Sequence, residues 1–155
     1  MIEQATANDI ATIVNIIVEY SGEGKSTEER REISAAATQQ LHACLADRDN
    51  HSVYVARDAS DEVLGYLAVH WIPFSLLPGL EGYISDLNIA SEARGQGLGK
   101  KLILAAEEEA KSKSAKRLML NNPKVGESYH RRFYAKTGFT ERIGFANFVK
   151  ELEHN

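Results

Sequence analysis

The run Tyr83-Ile84-Ser85-Asp86-Leu87-Asn88-Ile89 reads as a strand, and the turn Arg94-Gly95-Gln96-Gly97-Leu98-Gly99 opens a helical run from Leu98 to Lys113. Strand, glycine-rich turn and helix in that order suit a pyrophosphate. Glycines let the backbone approach phosphate oxygens with no Cβ in the way. The N–H groups of the first helical turn then point at the anion, aided by the helix dipole. A tight turn with no ligand is the competing structural reading. Two nucleotide motifs are set aside. A P-loop needs Lys-Ser or Lys-Thr after its last glycine, and Gly99 is followed by Lys100-Lys101. A dinucleotide-binding unit begins a βαβ repeat and has an acidic residue closing the next strand, whereas this motif lies late and that strand ends in Asn121-Asn122.

Outward from the turn, the chain alternates helices and short strands. Ile10, Ile13, Val14, Ile17 and Val18 recur at helical spacing, with Thr6 or Asn8 as the cap. Ser26-Thr27-Glu28-Glu29 reads as a capping box for a helix carrying Ile33, Ala37, Leu41, Cys44 and Leu45 on one face. His51 to Arg57 and Val63 to Trp71 read as strands, and Pro73 and Pro78-Gly79 mark a longer loop before the strand Glu81–Ile89. The Leu98–Lys113 helix turns Leu98, Leu102, Ala105, Ala106 and Ala110 inward. Arg117 to Leu120 is a short strand, Glu127 to Lys136 a helix stopped by Gly138, and Phe145 to Leu152 a last strand. This is an α/β (α+β) pattern, with two early helices, a mainly antiparallel sheet and helices packed on it.

The 155 residues fit one domain, here 1–155, with 43% hydrophobic and 26% charged residues. A net charge of −4 argues against nucleic acid as a partner. No apolar stretch is long enough to span a bilayer, and Met1-Ile2-Glu3-Gln4 lacks the basic start of a signal peptide. Cys44 is the single cysteine, so no internal disulfide framework exists. A cytoplasmic protein is expected. His42, His51, His70 and His130 show no metal-ligand spacing in sequence, so no metal is expected.

Arg94–Gly99 fits the Arg/Gln-x-x-Gly-x-Gly/Ala motif of the GNAT family of N-acetyltransferases, and the chain resembles that family elsewhere. Tyr83–Ile89 resembles its fourth strand. Phe133-Tyr134-Ala135-Lys136-Thr137-Gly138-Phe139 resembles its last helix, where Phe-Tyr-x-x-x-Gly-Phe recurs. The resemblance is dense from Glu81 to Glu141 and rests on element order before that. It implies a mixed, mostly antiparallel sheet of six to seven strands, splayed between the fourth and fifth.

The resemblance further implies acetyl-CoA as co-substrate. The backbone around Gly95, Gln96, Gly97, Leu98, Gly99 and Lys100 would hold its pyrophosphate, with Arg94 adding charge or shaping the loop. The edge at Leu87, Asn88 and Ile89 would pair with the pantetheine arm, and Asn122 would lie near it. Tyr134 stands at the place of the family's general-acid tyrosine. Many relatives carry Glu just before the Asp-Leu pair of the fourth strand, and this chain has Ser85. Glu81 and Asp86 are the substitute bases. Strand alternation puts Glu81 and Ser85 on one face and Asp86 on the other, unless a bulge intervenes.

A small-molecule amine or a protein amino group is the expected acceptor. The acids Glu19, Glu23, Glu28 and Glu29, together with an apolar pocket of Trp71, Phe74, Leu76, Leu77 and Tyr83, would suit a cationic amine; the competing reading is a solvated helix start for the acids and core or dimer interface for the apolar groups. The alternatives are a non-catalytic acyl-CoA-binding module, favoured by the missing Glu, and a structural protein that uses the fold as a dimerisation scaffold, its subunits joined at a Phe145–Leu152 sheet edge with no need of a cofactor.

Overall fold

Val53, Val55 and Ala56 of β2 (His51–Arg57) and Leu67, Ala68, Val69 and Trp71 of β3 (Val63–Pro73) are buried, as strands covered by helices require. They sit in an open five-stranded sheet whose order follows the sequence, with β1 (Ile2–Gln4), β4 (Leu80–Ile89) and β5 (Arg117–Leu120) completing it. Every neighbouring pair is antiparallel except β4 and β5. The structure, a computed structural model, describes residues 1–152. It divides into a larger unit, Met1–Asn121, and a smaller one beginning at Asn122.

In the larger unit, α1 (Ile10–Ser21) buries Ile10, Ile13, Val14 and Ile16. Before it, the Asp9 carboxylate accepts hydrogen bonds from the Thr6 N–H (2.8 Å) and hydroxyl (3.0 Å). α2 (Thr27–Ala46) starts at the expected capping box, with Ser26 N–H donating to Glu29 Oε2 (2.7 Å) and Glu29 N–H to Ser26 Oγ (3.2 Å). It packs mainly on α1 through Leu41, with Ala37, Cys44 and Leu45 partly covered. α3 (Leu98–Ser112) buries Leu102, Ile103, Ala106 and Ala110 against the sheet.

Buried polar groups are paired. Arg57 binds Glu3 and, at 2.6 Å, Asp9. Glu109 of α3 accepts from Ser52 and Tyr54, both at 2.8 Å, and the Trp71 indole donates to Ser52 at 3.0 Å. Trp71 is therefore a core residue tying the sheet to α3, not a pocket wall. Burial and the Glu109 carboxylate push the Tyr54 phenol up to about 12.

In the smaller unit, the expected Glu127–Lys136 helix is two short ones, α4 (Glu127–His130) and α5 (Phe133–Lys136), broken where Arg132 takes φ +57. Helices this short gain little from propagation, so one left-handed residue ends the first. Gly138 follows α5 at φ +93, as a helix-stopping glycine does. The expected strand at Phe145–Leu152 does not form. The described segment has no ladder partner, and Phe145, Phe148, Val149 and Leu152 are exposed. A strand lacking a neighbour leaves its backbone groups to water. Its absence brings the sheet to five strands among the described residues, and removes the edge invoked for a homodimer. No helix among them is long and apolar enough to cross a membrane.

Candidate active site

β4 is a strand of two halves. Its first half lies between two neighbours, with Glu81, Gly82, Tyr83 and Ile84 paired to Arg117–Leu120 of β5. From Ser85 to Ile89 its one ladder partner among the described residues is β3, because β5 ends at Leu120. The change coincides with a bulge: Ile84 opposes Val69 and Asp86 opposes Ala68, which leaves Ser85 without an opposite residue. Ala90 N–H donates to Leu64 O at 2.9 Å, so by antiparallel alternation the backbone of Asn88 faces β3 and those of Leu87 and Ile89 face the free edge. The Asn88 side chain donates to the Tyr66 phenol at 3.1 Å.

The glycine turn follows at once. Gly95 and Gly97 adopt φ +81 and +77, a region that favours glycine, and a Cβ on either would meet nothing within 4 Å. Their need is conformational, and the space beside them is open. Gly97 is the N-cap of α3, with no side-chain cap on the first turn, and the Lys101 N–H makes the return bond to Gly97 O (3.2 Å). The amides of Leu98, Gly99 and Lys100 are thus available to an anion. Arg94 donates from Nε to Ile89 O at 3.2 Å, so its guanidinium braces the turn against the end of β4. The residues present fit a pyrophosphate.

Glu81 and Asp86 are held differently. Glu81 is buried and ion-paired with Arg117, its direct partner on β5. It belongs to the framework. Asp86, half-buried, accepts the Ser85 hydroxyl at 2.6 Å and the Tyr66 phenol at 3.4 Å. The bulge defeats the alternation argument by making Ser85 and Asp86 a bonded pair. Burial, with the Asp86 charge adding to it, raises the Tyr66 phenol well above the ordinary tyrosine value.

Sequence spacing missed two histidines here. His70 on β3 places Nε2 2.8 Å from Ser85 Oγ, and its Nδ1 lies 2.9 Å from Nδ1 of His51, its opposite residue on β2. A hydroxyl has one proton. Since Ser85 gives it to Asp86, Ser85 Oγ accepts from His70 Nε2–H. Burial, and the neighbouring His51, hold the His70 imidazole below its ordinary value. Cys44 of α2 brings its sulfur to the same place, with one ligand atom from each of Cys44, His51 and His70 within 4.8 Å of one another. Burial pushes that thiol up, and Asp86 and Asp47 add to the effect. The signal that would have found these residues is β2–β3 register, which spacing alone does not carry.

Asn121 donates to the Tyr83 phenol at 3.2 Å. In the smaller unit, Asn122 Oδ1 accepts from Ser128 Oγ at 2.7 Å, and Tyr134 is half-buried with its ring edge-on to Phe133 and Phe139. Of the acids proposed to attract the acceptor, Glu29 is used in the capping box, and Glu28 pairs in solvent with Arg31 at 3.5 Å. The shallow depression beside Glu19 also holds Arg30 and Arg31, so it is no acidic cage.

A family model, described as the acetyltransferase (GNAT) family, matches residues 10–139, a span that runs through both units. Comparison with curated proteins gives no significant match. Among solved structures, the chain is similar to a transcriptional regulator from Bacillus halodurans C-125 (TM-score 0.82, 22% identity, 98% of this chain and 99% of that one). It is also similar to an aminoglycoside acetyltransferase from an uncultured soil metagenomic sample (0.74, 24%, 99% and 96%). A third is the ribosomal-protein-alanine N-acetyltransferase of Brucella melitensis biovar Abortus 2308 (0.74, 18%, 98% and 99%). At these identities the likeness shows the fold. That fold carries a half-paired fourth strand and a glycine turn at the head of α3, and the family match covers both: the chain belongs to the acetyltransferase (GNAT) family.

Proposed function

We propose that the protein is an N-acetyltransferase that uses acetyl-CoA and a primary amine, and that residues 1–155 are one domain. The observation that carries this reading is the free edge of β4 running into an uncapped α3 N-terminus. The amides of Gln96 to Lys100 would bind the pyrophosphate. Leu87 C=O and Ile89 N–H would bind the amide groups of the pantetheine arm; Ile89 C=O is already used by Arg94. When bound, acetyl-CoA supplies an acetyl group activated as a thioester.

The chain's own task is to manage charge and protons. An outward N–H of β4 would stabilise the oxyanion that develops on the acetyl carbonyl. The amine's proton would pass to Ser85 Oγ as the Ser85 proton passes to Asp86, 2.6 Å away. Asp86 through Ser85 thus replaces the glutamate of many relatives, and Glu81 stays with Arg117. Tyr134 would protonate the departing thiolate, a role it takes from its position in the family motif. The acceptor is an amine, and two of the similar structures are named for acting on very different ones, an aminoglycoside and a protein alanine.

Calorimetry with acetyl-CoA tests the binding half, and absence of binding at millimolar concentration would sink the proposal. A screen of aminoglycosides, polyamines and alanine-initiated peptides, followed by CoA thiol release, tests the transfer half. Tight binding with no release across that panel would instead favour a non-catalytic acyl-CoA-binding module.

A further inference from the structure

We propose that Cys44, His51 and His70 form a binding site for a zinc-class divalent cation on the larger unit, next to the Ser85–Asp86 pair. Their three ligand atoms lie within 4.8 Å of one another, and all three residues are half-buried. One thiolate and two imidazoles are the donors that borderline metals such as zinc select, and three protein ligands leave a fourth position open.

The site is held from three sides. His51 and His70 are direct partners in the β2–β3 register, their Nδ1 atoms 2.9 Å apart. Cys44 lies in the last turn of α2, and the turn from Asp47 to Asn50 brings the chain back to His51. That turn is braced, with Asn50 donating to the Asp47 carboxylate (3.0 and 3.2 Å), His51 N–H to Asp47 O (3.0 Å) and Trp71 N–H to Asn50 O (2.8 Å).

The surroundings favour a cation in two further ways. The carboxylates of Asp86 and Asp47 act on the Cys44 sulfur, giving the spot a negative field. His70 also has the outer support that metal-bound imidazoles need. Its Nε2–H donates to Ser85 Oγ, whose proton lies on Asp86, which leaves His70 Nδ1 bare and pointing at His51. Coordination would release the Cys44 proton to solvent and require the His51 proton on Nε2. A bound ion would fix the His70 tautomer, and through it the direction of the Ser85–Asp86 hydrogen bond.

The test uses the untagged full chain, stripped with chelator, and needs neither acetyl-CoA nor amine, so it stands or falls separately from the transferase reading. Cobalt(II) should give a thiolate-to-metal charge-transfer band that zinc abolishes. Zinc should also raise the melting temperature. Cys44→Ser should remove the band and the thermal shift, and His70→Gln should weaken zinc binding at least about tenfold. Ser85→Ala, which strips the outer support from His70, should weaken it about tenfold. His42→Gln, exposed on α2, should change nothing. Melts of each variant without metal show that it is folded. No charge-transfer band in the wild-type chain would overturn the proposal, as would zinc affinity and stabilisation that survive in folded Cys44→Ser.

Discussion

Replacing Asp86 by Asn isolates the proton step. Asn keeps the shape of the side chain and a carbonyl oxygen to accept the Ser85 hydroxyl, now 2.6 Å from the carboxylate. It cannot take a proton. General-base catalysis contributes about 100- to 10,000-fold, so kcat/KM should fall by that factor, about 3–5 kcal/mol of barrier. The folding cost should be about 1 kcal/mol, since one neutral hydrogen bond replaces a charged one. The size of the fall should depend on the amine. At about pH 7.5 an alkylamine of pKa about 10.4 is almost wholly protonated, whereas an α-amine near about 7.8 is about one-third neutral. The α-amine has less need of a base, so Asp86→Asn should spare it relative to the alkylamine. The assay is thiol release with both amines over a range of pH, with acetyl-CoA affinity measured in parallel. Unchanged kcat/KM would refute the reasoning. So would an equal fall for both amines, because that would mark Asp86 as structural.

Gly97→Ala should cost about 1–2 kcal/mol of stability, because a left-handed residue gains a Cβ without meeting neighbours; relief of that strain would turn the amides of the turn away from the pyrophosphate and weaken acetyl-CoA binding about tenfold by calorimetry. Tyr134→Phe should lower kcat by about 100-fold with acetyl-CoA affinity kept; an unchanged kcat would end its acid role. Burial works to raise the Asp9 carboxyl, yet the Thr6 N–H and the Arg57 guanidinium hold it below its ordinary value. The stability this contributes is full above the unfolded carboxyl pKa and is lost as pH falls through the lower folded value. Asp9→Asn should therefore cost about 2–3 kcal/mol in urea melts at neutral pH and much less in acid; an equal loss at both would contradict the pairing.

Local rules were legible in the sequence and long-range ones were not. The capping box at Ser26–Glu29, the helix after Gly97 and the strand Arg117–Leu120 depend on neighbours a few residues apart, and they appear where periodicity put them. The bulge at Ser85 depends on what β3 does opposite it, so alternation alone could not fix the side that Asp86 takes. Trp71 looked like a pocket wall because its type is ambiguous; only the Ser52–Glu109 bonds reveal it as core. Phe145–Leu152 has strand composition but no described partner, and composition cannot supply one. His51 and His70 are remote in sequence and adjacent by strand register, which is why the candidate site was only half visible.

The half-finished strand has a consequence for how this chain tolerates change. An edge that recognises through N–H and C=O uses atoms that every residue except proline possesses. The side chains of Leu87 and Ile89 can drift without erasing what the edge offers, and the glycines alone carry a lasting mark. Mutational constraint on such a site is concentrated in a few backbone-bending positions, and the acceptor side is left free to diverge. A search for the acceptor should therefore look for side chains, and a search for the donor site should look for geometry.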